Sequence, residues 1–218
     1  MIQRRQLLTA GAALACVPTA RAATASGVPN SGTLAFRVCR NGSDIGTHTL
    51  TFSRRDSMLT VRIDAAFRVH FGPITFYHYR HQGIEQWRDG SFAALDTETN
   101  DNGTQFEVHA ARTTGGVSIH ATNRANLIAP PDTMPLTHWA VADARGKLFN
   151  PQTGALLAET LQPRGPCTVA LADGARIPAT RVALPGPAPI DDYYDTTKLW
   201  AALDAIGADG SHITYRRL

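Results

Sequence analysis

The 218-residue sequence holds only three cysteines, and none sits in a CxxC pair or beside a histidine. Thiol catalysis and cysteine-ligated zinc therefore have no support. Eight histidines occur without any HxH or HExxH spacing. His78 and His81 are three apart, so on a strand they point to opposite faces and cannot share a metal. No metal and no other cofactor is expected. There is no GxSxG elbow for a serine nucleophile and no glycine-rich loop opening a helix for phosphate. Heptads, internal repeats and low-complexity tracts are also missing. Acidic residues are absent from residues 1–22, where Arg4, Arg5 and Arg21 account for the whole formal net charge of +3. The remainder is electrically balanced, and a balanced chain with dispersed charges lacks the footprint of a nucleic-acid binder.

Those first residues have the three parts of an export signal: basic Arg4 and Arg5, an apolar stretch over residues 7–17, and the small-residue pattern Ala20-Arg21-Ala22. Removal after Ala22 would leave a periplasmic or secreted chain. Arg4-Arg5-Gln6-Leu7-Leu8 is similar to the twin-arginine export motif, although Gln3 stands where Ser or Thr is usual and Leu7 replaces Phe. The apolar stretch is too short to span a bilayer, so no transmembrane segment is expected. Cleavage would also remove Cys16 and leave Cys39 and Cys167, which could form one bridge or pack as two free thiols.

Residues 23–32 read as a flexible linker of small residues, and residues 33–218 as one β domain. The clearest strand has Leu59, Val61, Ile63, Ala65, Phe67, Val69 and Phe71 on one face against Thr60, Arg62, Asp64, Arg68 and His70 on the other. His48, Leu50 and Phe52 alternate likewise. Turns are marked at Asn41-Gly42, Asp89-Gly90, Asn102-Gly103, Gly115-Gly116, Asp173-Gly174 and Asp209-Gly210. Three prolines interrupt the pattern over residues 123–136, where a long connection should carry one short helical turn at 135–141. Further strands are expected at 147–161, 167–171, 176–184, 199–206 and 211–217. The fold class is all-β: about ten antiparallel strands in a strongly curled sheet, forming an open or half-closed β-barrel. Asn41-Gly42-Ser43 and Asn102-Gly103-Thr104 match the glycosylation sequon but read as turns.

Several segments carry a resemblance: TLAFRVCRNGSDIGTHTLTF, FYHYRHQGIEQWRDG, TNDNG, LFNPQTGAL and the closing DGSHITYRRL. Together they resemble a family of uncharacterised exported bacterial β proteins known as a domain of unknown function. That family is similar in fold to the open β-barrels of lipoprotein-localisation (Lol) carriers. The resemblance implies a secreted half-barrel and no particular activity. Tyr193-Tyr194-Asp195 departs from the Trp-Tyr-Asp run of the pattern.

The candidate site lies on residues 76–87. On one continuous strand Tyr77, Tyr79, His81, Glu85 and Trp87 share a face, an aromatic surface with one imidazole and one carboxylate. Gly83 between them could mark a bulge that reverses the parity. The expected function is a periplasmic binding or carrier module for a lipid or another apolar small molecule. One alternative is a small exported enzyme with His81 as base and Glu85 as its orienting partner. Another is an envelope structural or interaction protein that pairs through a sheet edge. Asp191, Asp192 and Asp195 lack the spacing of a calcium loop and read as a solvated strand entry. His48, His70, His109, His120, His138 and His212 read as scattered, exposed strand histidines.

Overall fold

The computed structural model describes residues 27–71 and 74–218; the export signal expected over residues 1–22 lies outside the described residues. The chain rises as a meander of β1 (Thr33–Arg40), β2 (Ser43–Arg55), β3 (Met58–Phe71), β4 (Ile74–Arg88), β5 (Ser91–Asp101), β6 (Thr104–Thr113), β7 (Gly116–Ala121) and β8 (Leu127–Ala129). Two short strands, β9 (Met134–Pro135) and β10 (Leu148–Phe149), pair in parallel within the following connection, with a 3₁₀ turn at Val141–Asp143 between them. The chain finishes with β11 (Gln162–Ala170), β12 (Arg176–Leu184), β13 (Ile190–Asp195), β14 (Trp200–Ile206) and β15 (His212–Arg217).

One thirteen-stranded antiparallel sheet results, in the order β11-β12-β13-β14-β15-β1-β2-β3-β4-β5-β6-β7-β8. The last strand thus pairs with the first, while β8 and β11 remain as edges and the barrel stays open. Asn41-Gly42, Asp89-Gly90 and Asn102-Gly103 each have both residues at positive φ. A two-residue hairpin turn requires that, because its twist must match the strands it joins. Register shifts in β1, β3, β4, β11 and β13 add local twist that curls the sheet.

The concave face is the core. Leu50, Leu59 and Val61 are buried there in the alternation read from the sequence, and Leu34, Phe36, Leu95, Val108 and Ile119 are buried beside them. The connection between β8 and β11 lies inside the concavity and supplies Trp139, Val141, Leu148 and Phe149, each almost fully buried. Trp139 meets Phe52 and Trp87 edge-on at 5.2 and 5.1 Å, and Phe149 meets Phe92 at 6.0 Å. Edge-to-face contact suits the opposed charge of ring faces and edges. A smaller cluster covers the outer face, where Val169 and Ala179 of the β11–β12 hairpin pack with Ala201 and Ala202.

Four details differ from the sequence reading. Residues 147–161 are not a strand: only β10 forms, and the rest turns through the concavity. Residues 27–29, assigned to a linker, pack instead, with Gly27 and Pro29 buried and Val28 against the core. Gly83 produces no bulge, and β3 and β4 stay in register from Met58 opposite Arg88 through Val69 opposite Tyr77. Residues 190–195 form β13 inside the sheet rather than a solvated entry. Cys39 on β1 and Cys167 on β11 are free thiols in the structure.

Gly46 lies in β2 at φ +144°, where a Cβ would fall 2.0 Å from the carbonyl oxygen of Ala66 on β3. Gly46→Ala is expected to destabilise the domain by about 2 kcal/mol or more. Gly42→Ala also has positive φ but open space around it, and should cost nearer ~1 kcal/mol. Urea unfolding of both variants checks this; equal losses would refute the close-approach account.

Candidate functional site

The register builds the site from one row across five strands. Phe36 of β1 lies opposite His48 of β2, His48 opposite Ala65 of β3, Ala65 opposite His81 of β4, and His81 opposite Thr99 of β5. Ala65 has nothing beyond Cβ, so room opens between the two imidazoles that flank it. One row toward the β3–β4 tip, Phe67 stacks on Tyr79 at 5.1 Å and 7°. Two rows the other way is Glu85. The inner connection closes the far side with Thr137, His138, Asn150, Pro151 and Gln152. Thr97 anchors that lid by donating its hydroxyl to the Pro151 carbonyl at 2.6 Å. A pocket of about 160 Å³ remains between sheet and connection.

Tyr77, Tyr79, His81, Glu85 and Trp87 do alternate on one face, the tyrosines half-buried and the other three buried. Tyr79, His81 and Glu85 line the pocket. Trp87 lies behind them in the core. Tyr77 is not among the lining residues. His81 and Glu85 do not bond each other: His81 Nδ1 meets the Thr99 hydroxyl at 2.8 Å. Glu85 Oε2 accepts two indole N–H groups, from Trp87 at 2.9 Å and from Trp139 at 3.0 Å. The base-and-orienter arrangement expected of His81 and Glu85 is therefore absent.

Residues that the sequence reading passed over complete the site. His48 and His138, taken there as exposed strand histidines, both line the pocket. His138 Nδ1 donates to Asp192 Oδ2 at 2.9 Å, and Asp192 is buried on β13. Trp200 of β14 is fully buried, stacks on His138 at 5.1 Å and 20°, and meets His48 edge-on at 5.6 Å. The neighbours of Asp192 also have partners: Asp191 takes Arg181 through two bonds of 2.8 and 2.7 Å, and Asp195 takes Arg217 at 2.9 Å. One signal was available for His48, a polar residue on the apolar phase of its strand. His138 lies in an irregular segment without periodicity, and in Ile190–Asp195 both phases carry Asp and Tyr.

Burial dominates the electrostatics. It lowers His48 from its ordinary value of 6.5 to about 3, helped by the neighbouring His138 and His81. Burial alone lowers His81 to about 4. It also pushes the Glu85 carboxyl up, opposed chiefly by the hydrogen bonds from Trp87 and Trp139. At neutral pH both imidazoles are thus uncharged. Among the described residues, six buried side-chain polar atoms have no hydrogen-bond partner. Five belong to this site: both ring nitrogens of His48, Glu85 Oε1, Asp192 Oδ1 and Trp200 Nε1. Native interiors rarely leave such groups unmet, so their concentration around one pocket points to something bound there. No group of three or more His, Cys, Asp or Glu among the described residues is arranged to hold a metal ion.

Comparison with known proteins agrees with the architecture. A family model described as a domain of unknown function, DUF6134, matches residues 36–218. The fold is similar to that of a β-barrel-like protein from Brucella abortus, itself a domain of unknown function, DUF1849. The TM-score is 0.59 at 10% sequence identity, covering 85% of this chain and 94% of that one. None of the curated proteins matches. No helix among the described residues is long and apolar enough to cross a membrane.

The buried histidines set an acid limit on stability. Their folded pKa values lie below the unfolded one, so as pH falls from about 6.5 toward 4 the unfolded chain takes up protons that the folded chain refuses. Stability should therefore fall through that window, by up to ~1.4 kcal/mol per pH unit for each imidazole. Glu85 acts in the opposite sense: its raised pKa favours the folded state at low pH and loses that contribution as pH rises. Urea unfolding from pH 7 to 4 should show a slope that H48Q/H81Q flattens. An unchanged slope in the double variant would contradict the assignment.

Proposed function

The chain belongs to the DUF6134 family, and we propose that it binds a small uncharged molecule in the concave pocket, outside the cytoplasm. The single observation that carries this reading is the cluster of unpartnered buried polar atoms around the pocket. Neutral imidazole offers one donor and one acceptor, and the Trp200 indole one donor. Such a wall complements a ligand with its own donor and acceptor and does not complement a net charge. Phe67, Tyr79 and Trp200 supply flat apolar surface for the remainder of the ligand.

The volume argues for the small end of the ligand range. An engineered cavity of about 150 Å³ holds one benzene, and this pocket is similar at about 160 Å³. A single ring fills it, with a short polar substituent at its open side; a long acyl chain exceeds it. Among the lipids and apolar small molecules expected from the sequence, the geometry favours a compact molecule with a polar head. Edge pairing with an envelope partner has less behind it. β8 has three residues, and β11 carries Pro163 and Pro166, which cannot donate to a ladder.

Acetanilide, an uncharged ring bearing one amide, is expected to raise the thermal midpoint, and palmitate to leave it unchanged. Ala65→Leu fills the space between His48 and His81 and should abolish the acetanilide shift while the variant stays folded. A shift retained in that variant would place binding elsewhere. Export is tested separately: the protein from a periplasmic fraction should begin at Ala23, and a chain that keeps residues 1–22 in the cytoplasm would end that part of the proposal.

A further inference from the structure

We propose that the pocket also hydrolyses small uncharged esters, with His138 as general base on a bound water and Asp192 as its positioning residue. This rests on the reading that the pocket takes a small uncharged molecule.

Three contacts hold the His138 imidazole. Its Nδ1 donates to Asp192 Oδ2 at 2.9 Å, its ring lies against Trp200 at 20°, and its backbone carbonyl accepts the Tyr194 hydroxyl at 2.6 Å. A hydrogen on Nδ1 leaves the lone pair on Nε2, the form a base needs. Asp192 is 1% exposed, so its carboxylate has no bulk water to turn toward. The other histidines of the pocket lack this setting: His81 bonds a threonine, and His48 bonds nothing. A second His–Asp pair, His109 with Asp96 at 2.7 Å, has side chains 60% and 67% exposed. That pair gives the contrast, because an exposed pair open to solvent is not held in one fixed geometry.

No serine or cysteine lines the pocket, so water is the nucleophile. In the forward step the water O–H bond breaks, its proton goes to His138 Nε2, and its oxygen bonds to the carbonyl carbon. The carbonyl π electrons move to oxygen. One donor of the pocket wall serves that oxyanion, the unpartnered Trp200 Nε1–H. On collapse the bond to the leaving oxygen breaks, and the imidazolium returns its proton to that oxygen. Ester and water become acid and alcohol, and the protein ends unchanged.

The test uses the mature protein with two probes of like shape: phenyl acetate, read by phenol release, and acetanilide, an unreactive amide analogue, read by calorimetry. Saturable phenyl acetate hydrolysis is expected. Asp192→Asn should lower kcat on the order of 100-fold or more with KM and acetanilide affinity nearly unchanged. H138A should lose turnover and regain part of it on addition of free imidazole, beyond the hydrolysis that imidazole alone and imidazole with the wild type give, an effect no structural role produces. H138Q serves if H138A does not fold, and D96N on the exposed pair should match the wild type. Acetanilide binding with hydrolysis equally fast in wild type and Asp192→Asn overturns the catalytic proposal and leaves the binding reading intact. Failure of both probes to bind removes both.

Discussion

The carboxyl of Glu85 joins the two parts of the molecule that no backbone ladder connects. One indole that bonds it, Trp87, is two residues along the same strand; the other, Trp139, belongs to the connection lying in the concavity. A carboxyl taken wholly out of water costs several kcal/mol unless its oxygens are met. Oε2 is met twice, which ties the connection to the wall at one fixed point. His138 precedes Trp139 in the chain, so that bond also sets where the imidazole sits relative to Asp192. Oε1 has no partner, on a residue that also lines the pocket. One carboxyl thus belongs both to the anchor and to the pocket wall.

The cavity follows from what the sheet omits. Along the inner row two rings flank an alanine, and Gly83 lies between His81 and Glu85 on the next. A Cβ at Gly83 would come within 2.8 Å of Thr97, and Thr97 is the residue that holds Pro151 over the opening. Small residues therefore both make the space and let its cover approach. Filling that space with aliphatic side chains would bring a gain in burial, so the pocket trades stability for an interior surface.

The fold was largely legible from period-two alternation and turn dipeptides, because both are local. Seven apolar residues in β3 and the Asn-Gly and Asp-Gly pairs determine strand, face and turn without reference to the remainder of the chain. The shared face of Tyr79, His81 and Glu85 was legible for the same reason. The pairing of His138 with Asp192 was not, since 54 residues separate them and one of them sits in a segment with no period. The same holds for the packing of Gly27 under the Trp139 carbonyl, at the end of a stretch whose composition resembles a linker. Polar residues on an apolar phase were the signal that deserved more weight. His48 shares its phase with Leu50 and Phe52, and a strand that buries those two buries the histidine as well.

The pairing of β15 with β1 has a consequence for how the sheet is assembled. Residues 33–129 and 162–206 form two separate ribbons, and β15 is the strand that bridges them. Without it each ribbon keeps one unpaired long edge. Closing the seam brings together residues from opposite ends of the domain, such as Phe36 with Arg217. Contacts of such sequence separation cost the most chain entropy and form slowly, so an unfinished sheet with two open edges is the species that precedes the folded domain.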